Sequence, residues 1–522
     1  MRQRCDVAIV GYGPTGQMLA ILLAQRGWRV TVLERWPNAY PLPRAVHFDH
    51  EIGRILQAAG VADELRGLAE PCRDYEWRNA AGETLLRFGP ESEISLSGWP
   101  EANLIHQPDL EGVLDRRARS FRSVSVRRGF EVFEIKPRGE RVRVRARDAS
   151  GQLCDVDARF AVGCDGANSF VRRALRVPVE DFGFESDWLI VDLVTHRPRA
   201  WSPANWQLCD PARPTTVISG GPGRRRFEFM RLPHETIESL SDPSTAWKLL
   251  EPWGLGESNA SLERHSVYTF RARWAEIWRS GRVLLAGDAA HQLPPFAAQG
   301  LGSGLRDAAT LAWKLDLVLV GRAPDALLDT YALERLPHVR GLIGLSLALG
   351  RLMFLTDPAE AAVRDVELMA LARARRHAVP VPPAMGCGTL LEGDPHAGEL
   401  TVQGRVRVRD GARVRAGLFD DVVGRGWVLF GADCDPVEAL EPDARKLFES
   451  LGGISAHVGA GAPVEDLDGR YTRLFERTRA RVVLQRPDFH VFGCGKDPSE
   501  ARMLVDALAR QLTSPVVPEE AP

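Results

Sequence analysis

Lysine is nearly absent from the chain, with five residues against 62 arginines among 522. Codon bias explains that ratio as well as function does, so the arginine abundance is not read as a phosphate-binding signal. Net charge is also nearly absent: 69 acidic residues offset 67 basic ones and leave a formal −2. A protein that coats nucleic acid carries a strong basic excess, so no nucleic-acid partner is expected. No run approaches the ~20 uncharged apolar residues of a membrane helix. The best stretch, Gly341 to Gly350, is short and bracketed by Arg340 and Arg351. No membrane association is expected. Arg2 and Arg4 precede an apolar run, but Asp6 interrupts it and glycines follow, which suits a strand and turn better than a signal peptide. The eight cysteines, Cys5, Cys72, Cys154, Cys164, Cys209, Cys387, Cys434 and Cys494, form no C-x-x-C pair. That spacing fits neither a zinc site nor a disulfide framework and suits reduced thiols in the cytoplasm. No H-E-x-x-H and no clustered His/Cys set marks a metal, and no G-x-S-x-G elbow marks a serine hydrolase. What remains is 44% hydrophobic and 26% charged. That composition excludes a disordered or collagenous chain, and the length predicts about three domains.

Cys5 to Val10 reads as a short buried strand. Gly11-Tyr12-Gly13-Pro14-Thr15-Gly16 follows, a G-x-G-x-x-G that opens a helical run from Gln17 to Gln25. A second strand, Arg29 to Leu33, ends in Glu34-Arg35. This is the βαβ context that gives the glycine pattern meaning. Gly11 allows the tight turn, Gly13 the close approach of a pyrophosphate, and Gly16 the packing of helix on strand. The helix start supplies free N–H groups and positive potential. Glu34 stands where a carboxylate accepts from adenosine ribose hydroxyls and argues against a 2′-phosphate at this site. The motif predicts a bound dinucleotide without choosing between FAD and NAD.

Two later clusters favour flavin. Phe160 to Ser169 carries Asp165-Gly166 after a buried strand, and Arg282 to His291 carries Gly287-Asp288, with Pro294-Pro295 beyond. Gln299-Gly300-Leu301-Gly302-Ser303-Gly304 then opens a strong amphipathic helix, and its turn again offers free N–H donors. An Asp at a strand end can accept from ribityl hydroxyls.

Three such turns, about 120 to 150 residues apart, resemble the class A flavoprotein aromatic hydroxylases over the first ~350 residues in order and spacing. Pro43 to Glu51, Cys209 to Pro214, Arg225 to Met230 and Ser303 to Asp307 resemble more closely the 3-(3-hydroxyphenyl)propionate hydroxylase subfamily. Ala298 departs from it, standing where that family often has glycine. The resemblance implies FAD, with NADH or NADPH as reductant and O₂ as co-substrate. It places the ADP part of FAD on Gly11, Gly13, Pro14, Thr15, Gly16, Glu34 and Arg35. It implies that Arg44 and Gln107 contact the cofactor, that Asp165 serves FAD and NAD(P)H, and that Gly287, Asp288 and Pro295 hold the ribityl side. Gly300 and Leu301 would lie against the isoalloxazine. The implied reaction is hydroxylation of a phenol through a flavin C4a-hydroperoxide, which requires the protein to orient the ring, help deprotonate it and exclude water. His47 is the leading candidate base, weighed against a structural role, and Tyr268 is the rival. His291 is read as structural. An alternative on the same scaffold is a natural-product tailoring monooxygenase (hydroxylation, epoxidation or Baeyer–Villiger insertion). A non-enzymatic flavin-binding regulator should have lost the Gly-Asp motif or the substrate half, and neither is missing.

The expected fold is α/β: a Rossmann-type FAD-binding domain interleaved with an antiparallel-sheet substrate domain, plus a C-terminal thioredoxin-like domain. The expected division is 1–80, 105–180 and 279–378 for FAD binding and the helical linker, 81–104 and 181–278 for the substrate part, and 396–515 for the last domain. Substrate-side strands are read at Trp188 to Val194, Thr216 to Ser219, Arg226 to Arg231 and Glu263 to Arg271. Phe227 and Phe229 share one face, more as core than as pocket, and Glu228 and Met230 share the other. Arg225 or Arg226 is read as a solvated strand-edge residue ahead of a carboxylate binder. Pro337 is read as a kink, Val379 to Pro383 as a boundary, and the tail after Thr513 as loose. Cys434 lacks a C-x-x-C partner, so packing or subunit contact is expected there, and a homodimer is a candidate assembly.

Overall fold

The computed structural model describes residues 2–89, 92–373, 384–411 and 413–515. The boundary expected at Val379 to Pro383 and most of the tail after Thr513 lie outside them. The opening strand, Arg2–Val10, is apolar from Val7 to Val10, where it is sandwiched. Leu153–Gly163 and Val30–Glu34 flank it, both parallel, and Val7, Ala8 and Ile9 are fully buried. Parallel strands covered on both faces take such continuous apolar runs. The sheet continues through Val283–Leu285 to Arg279–Ser280 on one side and Val124–Arg128 on the other, with Glu131–Arg138 and Arg141–Arg147 branching off as an antiparallel extension. Helix Pro14–Gln25 packs between Gly300–Leu319 and Gln107–Arg119. This arrangement brings the carboxyl ends of several strands to one edge, where open α/β sheets bind ligands.

A second, largely antiparallel sheet stands against that edge. Its order is His291–Gln292, Ala260–Ala275, Val179–Thr195, Arg224–Met230, Thr215–Ser219, Trp206–Leu208, Tyr75–Arg78 and Thr84–Phe88. The four expected runs are segments of these longer strands. Leu189, Val191, Leu193, Val217, Phe227 and Phe229 form one apolar core, against which helices Ile237–Ser241 and Pro243–Leu250 bury Leu240, Ala246 and Leu250. The Phe227–Phe229 pair is thus core, as the period-2 pattern favoured. The reading of Arg225 and Arg226 is corrected: their strand lies inside the sheet, and both are at least 95% buried. Arg225 stacks on Trp201 and Trp206, and Arg226 pairs with Asp192.

Helix Thr330–Met353 contains Pro337 and runs on beyond it. No single helix among the described residues is long and apolar enough to cross a membrane. The C-terminal sheet is mixed, ordered Arg413–Leu418, Arg405–Asp410, Val464–Asp466, Ile454–Gly459, Val428–Gly431, Val482–Gln485 and Val491–Gly495. Helices Pro442–Ser450, Arg470–Thr478 and Ala501–Thr513 accompany this sheet. This part docks through buried charge. Arg54 donates to Asp420 at 2.8 and 2.9 Å, Arg486 to Glu334 at 2.7 Å, and Trp313 to Asp488 at 3.0 Å.

Candidate functional site

The strand ends are joined by backbone hydrogen bonds. Gly11 N–H donates to Leu33 O at 2.8 Å, Cys164 N–H to Val10 O at 2.7 Å, and Ala286 N–H to Gly163 O at 2.9 Å. The three glycine-bearing turns therefore start side by side. Gly11 sits at φ +100°, and a Cβ there would collide with Cys164 O and lie 2.8 Å from Asp165 Cα. Only glycine fits that joint. A Cβ on Gly16 would collide with Gly11 O, and one on Gly287 would meet Thr15 Oγ1 at 2.7 Å. Gly304 is pressed against the same Thr15 hydroxyl. Thus Gly11, Thr15, Gly16, Asp165 and Gly287 come together.

Gly13 differs. It has an ordinary φ of −75°, and no atom lies within 4 Å of where its Cβ would be. Gly300 is open in the same way. Each stands at the start of a helix with no acid in the first turn and no side-chain cap. Uncapped N–H groups behind open glycines suit an anionic diphosphate and an electron-rich ring edge, so the residues present fit FAD.

Glu34 is half-buried. Its Oε2 accepts from Tyr12 N–H at 2.8 Å and its Oε1 from Trp36 N–H at 2.9 Å, leaving lone pairs for ribose hydroxyls. Arg35 is exposed and stacks over Trp36. The Asp165 carboxylate is occupied locally, accepting from Ser169 Oγ at 2.5 Å, Phe170 N–H at 2.6 Å and Val171 N–H at 3.1 Å. Its reach toward a cofactor is through backbone. Gln107 is buried and equally committed: Oε1 accepts from Ala45 N–H at 2.6 Å, and Nε2 donates to Glu111 at 2.7 Å. It fixes the loop that carries Arg44, whose exposed guanidinium stacks over Tyr40. Asp288 is open to solvent along one side. The protein crowding its other sides pushes its carboxyl above the usual range, with Arg44 and His291 opposing.

Sequence reasoning missed the group behind this turn. Asp307 accepts from Gly287 N–H at 2.9 Å, His291 Nε2 at 2.6 Å and Arg335 Nε at 2.9 Å, all buried. Burial alone would raise its carboxyl, but His291 and Arg335 hold it below the usual range. His291 is structural, as read. Asp307 is a long-range partner, and the sequence marked it only as the end of the Ser303 to Asp307 run, without a role.

His47 lies on strand His47–Asp49, with Nδ1 3.3 Å from Ala298 O. Ala298 adopts φ +53°, the left-handed conformation that explains glycine at this place in relatives of that kind. Arg306 holds the two segments together, donating to Asp49 and Glu51 at 2.6 Å and to Gln299 at 2.9 Å. Burial lowers the pKa of His47, against Asp49 and the Ala298 carbonyl, so the ring is neutral near pH 7 and able to accept a proton. Tyr268 faces the same loop, its OH 3.2 Å from Tyr40 OH. Pro295 begins the turn Pro295–Ala297, which places Phe296 against Phe184, Trp188, Phe270 and Phe354. Leu301 is half-buried beside Gly300. The aromatic wall and the His47 imidazole thus sit beside the turn that leads into Gly300, and the two phenols meet over the loop that carries Arg44.

A doubly glycine-fronted dinucleotide cradle closed by an antiparallel sheet defines a flavin-dependent oxidoreductase. The chain belongs to the FAD-binding-domain family, which matches residues 4–346, and residues 398–511 match the HcaD C-terminal domain family. It is an FAD-dependent monooxygenase of the aromatic hydroxylase class. It is 38% identical to a probable NADH-specific resorcinol 4-hydroxylase of Rhodococcus jostii (strain RHA1), over 99% of this chain and 96% of that protein. It is 33% identical to a 3-(3-hydroxy-phenyl)propionate/3-hydroxycinnamic acid hydroxylase of Escherichia coli (strain K12), over 92% and 90%. Among solved structures it is similar to the flavin-dependent monooxygenase PieE in complex with FAD and substrate, with TM-score 0.80 and 23% identity over 98% of this chain and 99% of that one. Aklavinone-11 hydroxylase with FAD and aklavinone gives TM-score 0.77 and 25% identity over 97% and 99%. The fold is the mixed α/β fold of FAD-dependent monooxygenases.

Proposed function

We propose that the chain hydroxylates a phenol bearing a second substituent at the meta position, using FAD, NADH and O₂. The observation that carries this reading is the meeting of the glycine cradle with a wall holding His47, Tyr40, Tyr268 and Phe296. Both hydroxylase relatives carry names of meta-substituted phenols, and the nearer in identity is called NADH-specific. The natural-product alternative rests only on structures of 25% identity or less, which support the fold alone.

In this reading Gly13 and Thr15 present N–H groups and an open approach to the diphosphate, Pro14 opens the helix without a donor of its own, and Glu34 takes the ribose hydroxyls. Asp288 takes the ribityl hydroxyls, while Gly300 and Leu301 border the ring. Gly11, Gly16, Gly287, Asp165 and Gln107 shape the cradle through backbone and loop contacts, and Pro295 sets the wall. Arg44 and Arg35 supply positive charge on the open side. Reduced by NADH, FAD would activate O₂ and supply one oxygen atom to the ring. His47 accepts the phenol proton at one of its ring nitrogens, with the Ala298 carbonyl orienting the imidazole. Tyr268 and Tyr40 orient the ring, and the aromatic wall excludes water.

The domain division proposed is the one expected from the sequence, except that Tyr75–Arg78 and His291–Gln292, expected in the FAD-binding part, join the substrate sheet. We assign the thioredoxin arrangement to the last part. What supports it is the strand order Ile454–Gly459, Val428–Gly431, Val482–Gln485, Val491–Gly495, with the first pair parallel, the others antiparallel, and helices between.

The test is direct. The purified protein should be yellow with non-covalent FAD, and resorcinol or 3-(3-hydroxyphenyl)propionate should accelerate NADH oxidation and gain one oxygen atom by mass. A panel of meta-substituted phenols giving neither response would sink the reading.

A further inference from the structure

The substrate sheet turns a polar face toward the flavin cradle. Cross-strand register sets its rows: Trp188 beside Met230 and Tyr268, Ile190 beside Glu228 and Ser266, and Asp192 beside Arg226 and Arg264. Thr216 flanks Glu228 on the other side. Arg226 fixes this face against the flavin side, donating to Arg44 O at 2.7 Å and Pro43 O at 3.0 Å.

The charges on this face are unevenly matched. Asp192 takes both cations, lying 2.7 Å from Arg226 Nε and 2.9 Å from Arg264 Nε. Glu228 is left over. Its closest cation, Arg226 Nη1, is 3.7 Å away, beyond hydrogen-bonding reach, and no donor among the described residues meets its carboxylate. The side chain is only 15% exposed. A largely buried carboxylate that has a cation nearby but no hydrogen-bond donor is costly unless something else donates to it. Burial pushes its carboxyl above the usual range; Arg226 and Arg264 oppose this and Asp192 adds to it, with Tyr75 also within electrostatic reach.

We propose that Glu228 is a substrate-orienting residue that accepts a hydrogen bond from a ring hydroxyl, so that the pocket selects an uncharged dihydroxybenzene over an aryl carboxylate of similar size. This deepens the function proposed above and rests on it. A hydroxyl supplies the donor Glu228 lacks. A substrate carboxylate in the same place would face the like charges of Glu228 and Asp192, with Arg226 held by Asp192 and only Arg264 Nη1 without a partner. Accepting from the hydroxyl also leaves the ring electron-rich, which suits attack on an electrophilic oxygen.

The test uses the full-length FAD-bound protein. Resorcinol and 3-hydroxybenzoate are titrated without NADH, and binding is read from the flavin absorbance change. The parent should prefer resorcinol. Glu228→Leu should weaken resorcinol roughly tenfold or more, the scale of one hydrogen bond to a charged group, with FAD content and melting temperature kept. Glu228→Gln keeps an acceptor oxygen without the charge. It should hold resorcinol within a few fold and shift the preference toward 3-hydroxybenzoate. The proposal is overturned if Glu228→Leu binds resorcinol like the parent, or if Glu228→Gln leaves the preference unchanged. Should the Leu variant lose FAD, the Gln preference ratio decides. Because binding is read without turnover, a parent that binds resorcinol but oxygenates no meta-substituted phenol would sink the proposed function and spare the Glu228 assignment.

Discussion

Replacing Gly13 by alanine should separate cofactor binding from folding. The backbone there is at φ −75°, which alanine adopts freely, and no atom lies within 4 Å of the new Cβ. The apo-protein should therefore keep its stability or gain about 0.4–1 kcal/mol through the unfolded chain. The Cβ would project into the open space in front of the uncapped helix, where the diphosphate approaches. Losing one charge-assisted hydrogen bond costs about 1.5–3 kcal/mol, or roughly 10- to 150-fold in FAD affinity at 1.4 kcal/mol per decade. Gly16→Ala is the contrasting change: its Cβ would strike the Gly11 carbonyl, a backbone atom that cannot swing away. Overpacking of that kind costs about 1–3 kcal/mol, so this variant should lose apo stability as well. The assay is FAD titration by fluorescence quenching, alongside urea melts of apo-protein. Gly13→Ala that binds FAD like the parent, or that unfolds as easily as Gly16→Ala, would refute the placement of the diphosphate.

Two further outcomes follow from the ionisable groups. His47→Gln should keep FAD and lower turnover by about 10²-fold or more, the range of a general base. The lowered pKa of His47 puts the acid limb of the parent's kcat/KM profile below pH 6.5; if the Gln variant retains that limb, another group is the base. Asp307, Glu334 and Asp488 are buried, yet cationic partners hold each below the usual carboxylate range: His291 and Arg335 for the first, Arg486 and Lys314 for the second, Arg486 and His490 for the third. A depressed folded pKa gives stability that is complete above the unfolded value near 4 and is lost as pH falls below it. Acid melts should fall steeply below pH 4, beyond any shallower loss that the lowered pKa of His47 brings below pH 6.5, and a protein that keeps its stability below pH 4 would contradict these pairings.

The cradle was largely legible because it is local. Each turn carries its own strand, glycine and helix start within a few tens of residues, and local patterns announce such units. Their interlocking was not legible. Nothing near Thr15 announces that its hydroxyl fills the space left by Gly287 and Gly304, and nothing near Arg335 announces Asp307. Arg226 misled because strand position is a property of the sheet: a charged residue on a short run suggests an edge, and only the pairing with Val179–Thr195 and Thr215–Ser219 shows it to be interior. The hairpin Arg405–Asp410 and Arg413–Leu418 did carry a signal, alternating Arg and Val around Gly411, that the arginine-rich composition obscured.

The buried pairs that dock the C-terminal part bear on how this architecture can be shortened. Ending the chain ahead of residue 384 would strip Asp420 from Arg54, stranding a buried cation, and Arg486 from Glu334, which would keep only Lys314, on the helices behind the cradle. The module works as a keystone, and a minimal version of the enzyme would have to replace Arg54 with hydrocarbon and leave Glu334 to Lys314 alone before the third sheet could be cut away.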